Sequence, residues 1–197
     1  MKVDTYYSSK IDDDALAVQR RRHFGKLIAL GDVRNLDQDY LNALGPVDLL
    51  LSGSPCDQLT LLNPIRMGLA GGESSGNLFY EFFRIRDLLA RKAEEERRPF
   101  YWLCENTSKM ELATKQAMTM ALGCMPVTCC SSSFLPAVRR RLFWGNTPYL
   151  DQIAEEMKGR MRETSLQDIV GPYRIPMLDL VPTITSSGSG KGLCETP

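Results

Sequence analysis

Apolar and polar positions along this chain switch between two periods, and the switches mark out its elements. VDTYYSS (Val3–Ser9) has the composition and alternation of a strand. IDDDALAVQRRRHF reads as a helix, with Asp12, Asp13 and Asp14 placed where an N-terminal dipole favours acid. KLIALGD (Lys26–Asp32) predicts a second strand, followed by a short helix around Leu36–Leu44. VDLLLSG (Val47–Gly53) predicts a third, apolar enough to be covered on both faces. GNLFYEFFRIRDLLARKAEEERR predicts a long helix. Leu78, Phe79, Phe82, Phe83, Ile85, Leu88 and Leu89 recur there at helical spacing, so the aromatics read as core and the charged end as solvated. Pro99 opens a fourth strand, PFYWLCEN. A helix follows over Met110–Leu122, then PVTCCSS and RRLFWGN (Arg140–Asn146) as the fifth and sixth strands. Strands alternating with helices predict an α/β fold on a largely parallel sheet. Beyond Asp151 the pattern weakens, and from Thr183 the chain reads as a polar Ser/Gly linker.

Composition narrows the picture only in places. At 197 residues the chain is long enough for one domain with a real core. Its 24 Lys+Arg balance 24 Asp+Glu, so no global basicity announces nucleic acid. Arginine is nevertheless clustered, at Arg20–Arg22 and Arg139–Arg141. No apolar stretch approaches the roughly 20 residues that span a bilayer, and MKVDTYYSSK lacks the apolar segment of a signal peptide. Six cysteines without such a signal point to a reducing compartment and free thiols. Cys104, Cys124, Cys129, Cys130 and Cys194 do not form the two spaced CxxC pairs of structural zinc, and no metal is expected.

Candidate chemistry gathers at strand ends, because open parallel sheets bind ligands beyond the carboxyl ends of their strands. Those ends carry Asp32, Ser54-Pro55-Cys56 and Glu105-Asn106, which would face one crevice. Cys56 by itself has three readings: a turn with an incidental thiol, a metal ligand, or a nucleophile beside a closing loop. A nucleophile must be a thiolate, which needs positive charge, a helix N-terminus or a base nearby. The sole histidine, His23, lies in the basic helix end and reads as a surface residue, which leaves arginine as the source of charge. Glu105, where a strand gives way to a loop, is either a proton donor with a raised pKa or an ordinary Glu-Asn pair.

Ser54-Pro55-Cys56, Glu105-Asn106 and Arg139-Arg140-Arg141 with LFWGN, in that order, resemble the Pro-Cys, Glu-Asn and Arg-x-Arg motifs of the cytosine-5 DNA methyltransferases. SPCDQLTLLNPIRMGL, FYEFFR, RPFYWLCEN, RRLFWGN and GDVR resemble the animal de novo branch, and the similarity runs from about Val3 to Thr185. The resemblance implies a Rossmann-like sheet that uses S-adenosylmethionine. It implies that the Cys56 thiolate adds to cytosine C6, that Glu105 hydrogen-bonds the base at N3 and its exocyclic amine, and that C5 then takes the methyl group. Loss of the C5 proton and expulsion of Cys56 complete the cycle. Arg139 and Arg141 would contact the base oxygen and hold the nucleophile loop. The base must be flipped out of double-stranded DNA. Thr60, Leu62, Pro64 and Arg66 would face that DNA, Leu62 filling the vacated stack and Arg66 meeting phosphate. Asp32 would hold the cofactor's adenine amine, Val33 would pack on the ring, and Ile11 and Leu78 would surround it. A nuclear location follows by implication.

Three departures from the family pattern change the expectation. Lys10 stands where the family places an acid for the cofactor's ribose hydroxyls, and an ammonium cannot accept from them. No Phe-x-Gly-x-Gly loop and strand precede Val3; that strand is central in the family's sheet, so its neighbours would be left with unpaired edges. The chain also stops where the target-recognition region begins. Residues 1–182 therefore read as a partial catalytic domain and 183–197 as the start of a truncated target-recognition region, an inactive or weakly active fragment. The alternatives are a non-catalytic paralogue that binds and regulates another methyltransferase subunit, and an RNA cytosine-5 methyltransferase.

Overall fold

The computed structural model describes residues 2–53, 75–158, 160, 162–172, 175–176, 178–182 and 194–195. Local chemistry sets the elements. Asp12 caps α1 (Asp13–Arg22) by accepting from the Ala15 N–H at 2.7 Å, with acid in the first turn and Arg20, Arg21 and Arg22 in the last. This helix joins β1 (Tyr6–Ser8) to β2 (Leu27–Ala29), which lie parallel with Tyr6 opposite Leu27. Asp32 caps a 3₁₀ turn at Val33–Asn35, and Asp37 caps α2 (Gln38–Ala43). β3 (Leu49–Gly53), α3 (Ser75–Glu95) and β4 (Tyr101–Thr107) follow, then α4 (Leu112–Leu122), which ends on left-handed Gly123 at φ 71°. β5 (Val127–Cys130), β6 (Ala137–Val138) and β7 (Arg140–Gly145) complete the central part.

Past Asp151, where the pattern weakens, the chain still forms α5 (Leu150–Lys158) and α6 (Leu166–Val170), the latter opened by a Ser165/Asp168 capping box. Short strands β8 (Ile175–Pro176), β9 (Val181–Pro182) and β10 (Cys194–Glu195) end it, β9 pairing with β6 and β10 with β8.

The four-stranded sheet has the order β3-β4-β7-β5. It is mixed, which corrects the expectation of a largely parallel one: β3 and β4 are parallel, but β7 runs antiparallel to both β4 and β5. The cause is the connection from β5 to β7, through Ser131–Arg139, which is too short for the dozen or more residues of a parallel crossover. The fold is thus a mixed α/β one. Among the described residues the β1–β2 pair stands apart from this sheet, so β3 is an edge strand.

α3 serves two cores. Phe79 and Phe82 join Cys104, Met118, Leu142 and Trp144, while Ile85 and Leu89 join Leu36 and Leu41. The expected apolar stripe is therefore a packing surface. Its upper part lies on the sheet face that carries Cys104 and Trp144, which are register partners and fully buried. The Trp144 Nε1–H donates to Thr119 Oγ1 at 3.1 Å, meeting the indole's one polar requirement.

Candidate functional site

Strand alternation puts Glu105 on the face of β4 opposite Cys104 and Asn106. Glu105 lies within β4, two residues short of its end, rather than in a loop, and Asn106 is buried in the core. The Glu-Asn pair therefore splits between two faces, and Asn106 does not share the expected crevice. Register supplies a partner for Glu105. Thr107 pairs with Arg141, and Glu105 with Phe143, so Arg141 is the diagonal neighbour of Glu105 on one face. Arg141 Nε lies 2.7 Å from Glu105 Oε1, with the two side chains 16% and 30% exposed. In such half-buried surroundings this close ion pair is less screened than one in open water.

The second carboxylate oxygen faces β3. Gly53 is the register partner of Glu105, and a β-carbon built on Gly53 would stand 3.2 Å from Glu105 Oε2. Glycine thus makes room for the carboxylate at the last residue of β3, immediately before Ser54-Pro55-Cys56. Cys56 itself, with Thr60, Leu62, Pro64 and Arg66, lies outside the described residues. Arg141 also donates from Nη1 to the Arg140 carbonyl at 2.9 Å, and Ser108 Oγ donates to that carbonyl at 3.1 Å. The start of β7 is so tied to the end of β4. Arg139 is exposed, and its carbonyl accepts from the Ser131 N–H at 3.2 Å. Cys104, adjacent to Glu105 in sequence, points into the core, where burial pushes its thiol up to about 12. It is no nucleophile at neutral pH.

Of the expected cofactor residues, Ile11, Asp32 and Val33 follow the ends of β1 and β2, while Leu78 lies on α3. Ser9 Oγ donates to the Gly31 carbonyl at 2.7 Å, which ties the two ends together. The Asp32 carboxylate receives Arg34 Nε at 3.1 and 3.0 Å, Arg34 Nη2 at 2.6 Å and the Arg34 N–H at 3.0 Å. These bonds hold its pKa at about 2, so it is fully ionised at neutral pH. Val33 packs against the core of Leu36, Leu41, Ile85 and Leu89. Leu78 is half-buried, whereas Ile11 and Lys10 are exposed. An ionised carboxylate followed by a packed valine fits the adenine end of S-adenosylmethionine. Lys10 supplies no acceptor for the ribose end.

No protein-family model matches the chain. It is 39% identical to the DNA (cytosine-5)-methyltransferase DRM2 of Arabidopsis thaliana over 70 residues, 33% of this chain and 11% of that protein. It is 40% identical to DRM1A of Oryza sativa subsp. japonica over 68 residues, 32% of this chain and 14% of that protein. With DRM1 of Arabidopsis thaliana the identity is 39% over 79 residues, 38% of this chain and 12% of the relative. The chain is a distant relative of DNA (cytosine-5)-methyltransferases. The likeness covers about a third of it, and these three relatives are plant enzymes, so the animal branch rests on the wording of the motifs.

Around this site, two features go beyond the expected residues. Arg84 on α3 donates from Nη2 to the Val33 carbonyl at 3.2 Å and from Nη1 to the Leu36 carbonyl, while Glu81 Oε2 receives its Nε at 2.8 Å and Nη2 at 2.6 Å. Glu81 and Arg84 therefore brace the turn that carries Asp32 and Val33. Their i,i+3 spacing in FYEFFR is readable as a helix-surface pair, but its target is not. Gly53 is the other, its role visible only once β3 and β4 are in register.

Proposed function

We propose that this chain is a catalytic region of a DNA (cytosine-5)-methyltransferase of the animal de novo type, acting in the nucleus on a cytosine flipped out of double-stranded DNA. The observation that carries the reading is the Glu105–Arg141 pair, set against Gly53 at the threshold of Ser54-Pro55-Cys56. It joins in space two motifs that stand apart in sequence, beside the strand end that leads into the third, and the distant relatives found are DNA (cytosine-5)-methyltransferases.

The chemistry asked of these residues suits their types. The Cys56 thiolate attacks C6 of the base, and negative charge accumulates on the ring. Glu105 meets N3 and the exocyclic amine, with Arg141 fixing the carboxylate that does so. Arg139 stands at the approach to β7 for the base oxygen. Thr60, Leu62, Pro64 and Arg66 line the DNA side, Leu62 standing in for the displaced base. S-adenosylmethionine, when bound, supplies the methyl group that C5 accepts. Asp32 and Val33 hold its adenine end, with Ile11 and Leu78 beside them. Lys10 predicts weak cofactor binding, so turnover by this chain is slow.

A 5-fluorocytosine duplex tests this. Incubation with S-adenosylmethionine should give a denaturation-resistant protein–DNA adduct that is lost in Cys56→Ser and Glu105→Gln. Absence of the adduct in the unaltered chain, with DNA binding intact, would replace this reading by that of a non-catalytic partner of another methyltransferase subunit. An adduct on RNA alone would move the substrate to RNA.

A further inference from the structure

The corner between α1 and β2 has no part in the proposed reaction, yet it is built to a pattern. The Lys26 N–H donates to the His23 carbonyl at 2.9 Å and Gly25 has φ +73°. This closes a four-residue turn with the positive φ at its third position that marks type II, and Phe24 sits at the second. The turn is anchored rather than loose. The His23 ring stacks on Tyr6 of β1 with centroids 4.3 Å apart, and Lys26 Nζ donates to the Val3 carbonyl at 2.5 Å. At its tip Phe24 is 89% exposed, more than any other large hydrophobic side chain among the described residues.

Three cations precede that ring in the chain. Arg20, Arg21 and Arg22 are exposed in the preceding helical turn, and among the described residues no ion pair engages them. The acids of the same helix, Asp12, Asp13 and Asp14, lie at its other end, roughly 12 Å away at 1.5 Å per residue. In a chain with no net charge this is a local excess of positive charge. Complementing the C-terminal dipole of α1 accounts for cations there. It does not account for an aromatic ring held out into water on a braced turn.

We infer that this corner binds single-stranded nucleic acid, its arginines on the phosphates and Phe24 stacked on an unpaired base. An acidic protein segment would satisfy the arginines equally but would leave the ring without a purpose. Every nucleobase offers a face for stacking, and such a contact is worth roughly 5- to 150-fold in affinity per base. The corner lies before the first residue of β2, whereas Asp32 lies beyond its last. The surface is therefore separate from the cofactor turn and does not depend on the proposed reaction.

Fluorescence anisotropy of the full chain with 20-mers of oligo-dT and oligo-U and with a 20-bp duplex, over a salt series, tests it. Arg20, Arg21 and Arg22 changed together to Gln should weaken single-strand binding and flatten the slope of log K against log salt by about 2, three phosphates at about 0.7 each. The triple Lys variant should keep the slope. Phe24→Ala should cost roughly 5- to 150-fold on single strands at unchanged slope and leave the duplex nearly unaffected. Glu105→Gln should bind single strands as the unaltered chain does, which separates this surface from the catalytic pair. Losses on either oligonucleotide support the proposal, and their ratio tells DNA from RNA. Failure of the unaltered chain to bind single strands, indifference to Phe24→Ala, or equal losses on the duplex would overturn it. So would an acidic peptide that binds the arginines with no dependence on Phe24.

Discussion

Glu105 is charged and half-buried between two strand neighbours that are sealed in the core, and its two oxygens have different duties. Oε1 is paired with Arg141, while Oε2 faces Gly53. Glu105→Gln keeps the size and loses the charge, so Arg141 is left without its counter-ion. Stability should fall by about 1 kcal/mol, discounted for the partial exposure of the pair, and adduct formation should disappear. Gly53→Ala is the finer probe. Its β-carbon would crowd Oε2, shifting the carboxylate by tenths of an ångström, and methyl transfer should drop roughly tenfold at nearly unchanged Tm. At Asp32 the prediction concerns protons. Its pKa lies near 2, below the ordinary value of 3.8, chiefly through the side-chain hydrogen bond from Arg34. A depressed carboxyl contributes stability present above about pH 4 and lost as pH falls toward 2. NMR titration of the Asp32 carboxyl should show the low midpoint, and Arg34→Gln should raise it toward 3.8. Of these residue-level features, the identities of Glu105, Arg141 and Asp32 were legible as motifs. Their partners were not, because a partner across a sheet depends on register.

Among the elements, α3 does the most to position the site. Besides Arg84 on Val33 and Leu36, its Lys92 donates to the carbonyls of Asn42 at 2.8 Å and Leu44 at 2.6 Å, where α2 ends. Two cations of one helix thus fasten the segment between β2 and β3. Arg84→Ala should release the cofactor turn. Calorimetry with S-adenosylhomocysteine should show affinity falling roughly tenfold, and the urea midpoint should move by the equivalent of about 1 kcal/mol. Arg84→Lys should rescue little, since an ammonium cannot copy a fork that reaches two carbonyls and Glu81. The helical stripe of α3 was readable because its period is long and regular. The direction of β7 was not, since alternation is the same whichever way a strand runs, and only the short link from β5 implied it. For α6 the signal existed in Ser165-x-x-Asp168, but a five-residue helix leaves almost no periodicity to read.

Across the whole molecule, burial is unevenly shared. Both buried clusters draw on α3; one adds β4, α4 and β7, the other the Leu36–Leu41 region, and no residue of β1, α1 or β2 belongs to either. That N-terminal unit is joined to the rest by Leu30 and Val33 at the margin of the second cluster, and by Gly45 donating to Tyr7 Oη at 3.2 Å. A unit with few buried apolar contacts opens at lower free energy than the core beside it. The amides of β1 and β2 should therefore exchange with solvent by a partial opening, at least about 2 kcal/mol easier than the global unfolding that exposes β4 and β7. The same unit carries Ile11 and leads into Asp32, the residues proposed to meet the cofactor, and that proposal makes ligand binding and closure of this unit one equilibrium. S-adenosylhomocysteine at about 100 times its Kd should slow β1 and β2 exchange roughly 100-fold, the full mass-action effect of a ligand that binds only the closed form. Arg84→Ala should require proportionally more ligand for the same protection. Uniform exchange across both units without ligand would show that the N-terminal pair is as firmly held as the core. Ligand protection confined to β4 and β7 would remove the cofactor from the ends of β1 and β2.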